Sequence, residues 1–320
     1  MKQYIIRRLL LMIPVFIGIS IITFALIHST PGDPYIMMID GNLNVEDREM
    51  MLREIGYYDS IPVKYIKWVS RAVRGDLGYS IRYREPVTDV MLRRIGNTLL
   101  LSFSALLISS IIAIPLGIIS ATKQYSIFDY IATVIALIGV SIPAFFFALG
   151  LIKTLAVDLK LFPISGIETI GVNLTGFKKV LDILHHMALP LIVLTFMQTA
   201  SLMRYTRSAM LEVLQQDYIR TARAKGLPEK AVIYKHALRN AMISISTLIT
   251  ISLGYLLSGA VLTETVFVWP GMGTLLYQAV SNRDYPLITS GTLLIALCVL
   301  FANLLSDILY AVIDPRIRYD

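Results

Sequence analysis

The chain has 320 residues, 56% of them hydrophobic and only 16% charged, with a mean hydropathy of +0.67, which excludes an ordinary water-soluble domain and points to the bilayer as solvent. Its 29 Lys and Arg against 22 Asp and Glu give a net charge of +7. These cations flank apolar runs and form no basic tract interleaved with aromatics, so membrane topology accounts for them better than nucleic acid does.

Along the chain, Lys2, Arg7 and Arg8 precede the uncharged run 9–27, which is longer than a signal-peptide core and is followed by no small-residue cleavage site. A retained first membrane helix is therefore expected within residues 1–30. The next segment, 31–97, reads as a small helical cap. Asn44 and Asp47 resemble a helix start, Met51, Leu52 and Ile55 share a face, and Gly56 suits the helix end. A second periodic stretch carries Tyr65, Ile66, Val69 and Val73 before the turn residues Gly75, Asp76 and Gly78.

Five further uncharged runs follow at 98–122, 131–152, 187–203, 240–263 and 286–306. At 1.5 Å per residue most of them span roughly 30 Å of hydrocarbon. The 17-residue run 187–203 is short, and it gains length if Arg204 and Arg207 snorkel to the interface. Pro14, Pro115, Pro143 and Pro190 fall inside or at the ends of these runs, where they can kink a helix. Cys298, the single cysteine, lies in the last run, so there is neither a disulfide framework nor a thiolate metal site.

Six crossings place both termini on one side. The cations divide almost evenly between the two sides, but most of those opposite the termini lie in the long 31–97 segment, which weighs little in topology; the short loops favour cytoplasmic termini. The expected organisation is an outer helical insertion at 31–97, a five-helix core at 98–312 with a cytoplasmic loop at 209–237, and a tail at 313–320.

The loop between the fourth and fifth runs carries the most information. From Asp217 and Tyr218 through Arg220, Thr221, Ala222, Arg223, Ala224 and Lys225 the residues favour helix; Gly226 suits a left-handed closing position and Pro228 the start of another helix. Small Thr221, Ala222 and Ala224 permit close approach to another surface, and Arg220, Arg223 and Lys225 offer charge to an acidic partner. Composition alone favours a solvated, positively charged loop.

This loop resembles the E-A-A-x-x-x-G segment of permeases in type I ATP-binding-cassette importers, in the version typical of the dipeptide, oligopeptide and nickel permease family. Aligning Gly226 with the family glycine puts Arg220, Thr221 and Ala222 at the E-A-A positions; Arg220 departs from the acidic residue, and Arg239 stands where many relatives have proline. The resemblance extends in order through Pro31-Gly32-Asp33-Pro34, Gly75-Asp76-Leu77-Gly78, Lys235-His236-Ala237-Leu238-Arg239-Asn240-Ala241, Glu264-Thr265-Val266-Phe267, Trp269-Pro270-Gly271, Arg283-Asp284-Tyr285-Pro286 and Asp314-Pro315-Arg316-Ile317-Arg318.

The resemblance implies an all-α integral membrane protein with six transmembrane helices, the type I importer permease fold, and a helical extracytoplasmic insertion after the first helix. It implies a multi-pass subunit of the bacterial plasma (inner) membrane that translocates di- or oligopeptides, with nickel or metal-chelate uptake as the alternative cargo. The implied partners are a second homologous permease, two ATPase subunits and an extracytoplasmic substrate-binding protein, all embedded in or meeting membrane lipid. ATP and Mg would be bound by the ATPases, not by this chain, which has no G-x-x-x-x-G-K-[ST] phosphate loop and is not expected to be an enzyme.

Other polar residues are weaker candidates. Asn303 and Asp307, four apart at the end of the last run, share a helix face and suit either a pathway role or a structural pairing with another span. His28 and the adjacent His185 and His186 are the histidines to weigh for a metal; the pair is read as lacking carboxylate companions at ligand spacing, and no metal site is assigned. Gly254 and Ser258 form a small-x-x-x-small pair suited to helix packing. A stand-alone secondary transporter or channel is the competing reading from another class, yet it needs ionisable groups at membrane depth, of which the runs offer little beyond Asp307. A membrane-embedded enzyme lacks a convergent polar constellation.

Overall fold

The computed structural model describes residues 2–30, 49–50, 52–53 and 56–313. The 31–34 motif, the Asn44 and Asp47 helix start, Met51, Ile55, the 314–318 motif and the tail beyond Ile313 lie outside the described residues. What is described is almost wholly helical, with one isolated antiparallel bridge between Tyr79 and Pro86.

Helix α1 (Lys2–Ser29) is apolar around most of its circumference, and Leu10, Ile13, Ile22 and Leu26 remain exposed on it, as a lipid-facing helix requires. Helix α2 (Ile61–Ala72) is set on its far end by a 2.7 Å hydrogen bond between Ser20 Oγ and the Tyr65 hydroxyl and by the edge contact of Tyr65 with Phe24. Before it, Gly56 adopts φ +75° and receives the chain as Tyr57 N donates to Leu52 O, the expected helix-closing geometry.

Helix α3 (Val87–Thr122) begins eleven residues before its uncharged run, because Val87, Val90 and Met91 bury a face against Met272, Leu275, Ala279 and Leu287. The run 131–152 is not one straight helix. It divides into α4 (Ile127–Ser141) and α5 (Ala144–Leu151), which continues as a π-helical turn over Ile152–Asp158; the two arms are bent by 101°. Ile142 is extended at ψ 126° because Pro143 crowds the preceding residue out of the helical region and has no N–H to carry the ladder on. Pro14, Pro115 and Pro190 stay inside continuous helices.

The short fourth run proves to be the middle of α6 (Gly176–Leu214), a 39-residue helix about 59 Å long. Its length comes from polar extensions at both ends and not from snorkelling of Arg207, which turns inward to a carboxylate. After the loop helix α7 (Asp217–Ala224), a single turn α8 (Glu229–Ala231) and a π-helical turn Val232–Ala237 lead into α9 (Leu238–Gly254).

The fifth run is also interrupted: α9 stops at Gly254, a 3₁₀ turn covers Leu256–Ser258, Gly259 adopts φ +66°, and α10 (Val261–Val266) resumes. Gly254 therefore packs alone, so close to α12 that an added methyl would come within 2.6 Å of Ala302 Cβ; Ser258 sits beyond the helix and bonds back to Tyr255 O. Helices α11 (Met272–Ser281) and α12 (Tyr285–Ile313) complete the chain.

Among the described residues, five stretches are long and apolar enough to cross a membrane, and the bent α4–α5 pair makes six if it counts as one span. The main interface is α3 on α6, with α4 against α6, and α12 against both α1 and α9.

Candidate coupling segment and buried polar clips

The loop helix α7 is amphipathic, with Asp217 in its first turn and Arg223 in its last, the charge order the helix dipole favours. Its two inward residues decide how it is held. Ile219 is fully buried and Ala222 is 7% exposed, and both join a cluster with Met210 of α6, Val232 and Ala237 of the π turn, and Ala241 and Ile245 of α9. Asp217, Tyr218, Arg220, Thr221, Ala224 and Lys225 face out. Ala222 is thus used within the chain and is not available to a partner.

The charges are partitioned too. Arg223 donates to Glu229 from Nε and Nη2, at 3.2 and 2.8 Å, and this bond raises its pKa. Arg220 lies 3.6 Å from Asp217. Lys225 makes no ion pair among the described residues. The turn itself is closed by Gly226 at φ +77°, with Leu227 N donating to Ala222 O and Pro228 at the cap of α8. Open space surrounds Gly226, so what demands glycine there is the left-handed backbone and not a neighbouring atom. Beside the loop, a cavity of about 360 Å³ lies between Arg223 and Glu229 on one wall and Tyr125 and Leu214 on another.

A buried ion pair stands at the same end of the bundle. Asp129, 3% exposed, accepts from Arg207 Nε at 2.7 Å and Nη2 at 2.8 Å, from Tyr125 N at 3.0 Å, and from Ser120 Oγ. One carboxylate thereby joins the end of α3, the turn, α4 and α6.

About 33 Å along α3, 22 residues earlier, a second carboxylate organises the opposite end. Glu264 is fully buried; Thr98 Oγ1 donates to it at 3.1 Å and Thr274 N at 2.9 Å, while Gly271 and Gly273 leave no room for a side chain beside it. Thr98 Oγ1 also accepts from Met272 N at 2.6 Å, Asn97 Nδ2 donates to Pro270 O, and Trp269 Nε1 donates to Asn97 O. The broken segment after α9 is thus clamped onto α3 at Asn97 and Thr98. Asp284, likewise buried, accepts from Ser80 Oγ and from Arg82 N at 3.2 Å.

Local sequence leaves the partners of these acids open. Glu264 and Asp284 stand within the family-like motifs, and Asp129 follows Ser126 at capping spacing, with Asp129 N donating to Ser126 Oγ at 3.2 Å; that spacing was the available signal for Asp129. They stand at the ends of the apolar runs and not at their centres, and each is occupied by donors that tie helices together.

Asp307 pairs with Arg8 of α1 at 3.0 Å, a bond between the two ends of the chain, and Asn303 is exposed one turn earlier on α12. His28 stacks on Phe24, with Nδ1 3.0 Å from Phe24 O; His185 bonds Leu161 O and His186 bonds Asp182 O.

Two family patterns match the chain: binding-protein-dependent transport system inner membrane component over residues 113–319, and the N-terminal region of such membrane components over residues 1–102. Curated relatives match end to end. The oligopeptide transport system permease protein AppB of Bacillus subtilis is 43% identical over 320 residues, covering 100% of both chains. The dipeptide transport system permease protein DppB of Escherichia coli K12 is 42% identical over 337 residues, covering 100% of this chain and 99% of its own. The di/tripeptide transport system permease protein DppB of Pseudomonas aeruginosa is 41% identical, with the same coverage. With both patterns matched in order and full-length identity above 40%, the chain belongs to the family of binding-protein-dependent transport system inner membrane components.

Proposed function

We propose that this chain is a permease subunit of an ATP-driven peptide importer, and that segment 209–237 is where separate ATPase subunits act on it. The cargo reading rests on the names of the full-length relatives, which are oligopeptide, dipeptide and di/tripeptide permeases; none of those quoted favours nickel. One observation carries the coupling reading. The core of α7 shares a cluster with α6 and α9, so a force applied to its exposed face moves two membrane helices instead of bending a loose loop.

The proposed assembly holds a second homologous permease, two ATPases that bind ATP and Mg, and a binding protein on the far side, with both termini of this chain in the bacterial cytoplasm. ATP binds the closed ATPase pair preferentially. That differential affinity shifts the permease pair between inward- and outward-facing states, because a ligand moves an equilibrium only by the difference in its affinity for the two states. The exposed face of α7 and its cap offer Tyr218, Thr221 and Lys225, a cationic and mixed surface suited to an acidic groove.

The test is co-purification of the tagged chain from its native membrane followed by peptide uptake in proteoliposomes. Recovery of a second permease and nucleotide-binding subunits, with ATP-dependent peptide uptake, is expected. Recovery of this chain alone, with uptake driven by an ion gradient, would replace the importer with a self-sufficient transporter.

A further inference from the structure

Where α1, α2 and α12 meet, a partly open cavity of about 80 Å³ lies that the transport reading does not use. Lys64, Lys67 and Arg71 of α2 line it, with His28 at the end of α1 and one acid, Asp59. Asp59 is engaged by Lys67 at 2.5 Å, and Lys64 lies 5.3 Å from the Tyr57 ring centroid. Lys64 and Arg71 have no carboxylate partner among the described residues.

Two neutral groups of the same lining are also unsatisfied. Among the described residues, the buried Trp68 Nε1 and Thr289 Oγ1 have no hydrogen-bond partner, and Thr289 is only 1% exposed. A buried donor left without an acceptor is costly, so two such groups beside cations with no carboxylate partner among the described residues mark a place where an acceptor-rich anion belongs.

The position selects the anion. His28 is the penultimate residue of the first span and Tyr285 opens the last, so the cavity lies where both helices reach the membrane interface. Below it, Ile17 and Ile21 of α1, on the side of the helix that carries Phe24 and His28, are exposed apolar side chains along which acyl chains can lie. We propose that this cavity binds a phosphate group, supplied by an anionic phospholipid whose chains run down α1. Lys64 and Arg71 neutralise the phosphate, while the Trp68 N–H and the Thr289 hydroxyl donate to its oxygens.

The experiment uses the full chain in nanodiscs of phosphatidylglycerol or of phosphatidylcholine, with lipid retention after delipidation read by native mass spectrometry and thermal stability read in parallel. Phosphatidylglycerol should be retained preferentially and raise the melting temperature. Lys64→Gln with Arg71→Gln should weaken that apparent affinity about thirtyfold. Trp68→Phe, which keeps the ring and every charge, should weaken it about threefold to tenfold and guards against a misfolded double variant. Inorganic phosphate that reproduces the stabilisation without any lipid preference would overturn the lipid source and assign the site to a free anion. Equal retention of the two lipids with no response to phosphate, or a preference that survives both variants, would overturn the site.

Discussion

Arg207 of α6 grips Asp129 of α4 with two donors, at 2.7 and 2.8 Å, and so fixes a span that Pro143 breaks farther on. Because Asp129 is almost wholly buried, removing it leaves Arg207 with an uncompensated charge in a low-dielectric setting. Asp129→Ala is expected to destabilise the chain by about 3 kcal/mol, whereas Asp129→Ala with Arg207→Leu recovers much of that loss. Thermal unfolding of the four proteins of the double-mutant cycle checks it; a single variant as stable as the parent would show the pair to be idle.

Gly226 closes the loop helix at φ +77° in open space. Gly226→Val places a β-branched residue in a left-handed conformation, costing about 1–3 kcal/mol locally with no clash elsewhere. The bundle should stay folded while ATPase co-purification and ATP-driven uptake fall sharply. Full transport by this variant would sink the coupling assignment.

The Arg223–Glu229 bond fixes α7 against α8 at the protein surface. Its contribution to stability should be small, about 0.2–1 kcal/mol for a half-exposed pair, and should weaken with salt. Coupling is expected to suffer more than stability. The readout is ATP hydrolysed per peptide imported: Glu229→Gln should raise that ratio while leaving the melting temperature nearly unchanged.

Glu264 accepts from groups that close around it on every side. Glu264→Gln keeps the shape but turns an amide N–H₂ toward donors, costing about 1–3 kcal/mol, and Glu264→Ala adds an unfilled space. Hydrogen exchange should loosen selectively across α10 and α11 in both variants, more in the alanine one. Unchanged protection there would mean that Thr98, Asn97 and Trp269 hold the segment without it.

Asp307 offers a cleaner contrast. Its bond to Arg8 is partly exposed, so Asp307→Asn should cost less than about 1 kcal/mol and leave uptake intact if the residue is only a tie between α1 and α12. Loss of uptake at unchanged stability would instead place it on the pathway.

Apolar runs, capping residues and the ordered family-like motifs sufficed to reveal a helical membrane protein of this kind, and Asp217 to Pro228 already read as helix, turn and helix. Those features are local: they depend on chain periodicity, on the backbone preferences of glycine and proline, and on the cost of charge in hydrocarbon. Uncharged composition cannot show where a span breaks, which is why 131–152 read as one helix despite Pro143 and 240–263 read through Gly254 and Gly259. Nor can it show what a charged residue faces. Arg207 reads as a snorkelling cation until Asp129, 78 residues away in the chain, is brought beside it, and Glu264 reads as the edge of a run until Thr98 and Thr274 close on it. Those pairings were decided only by tertiary packing, because a buried charge finds its compensation in whichever distant helix the fold sets against it.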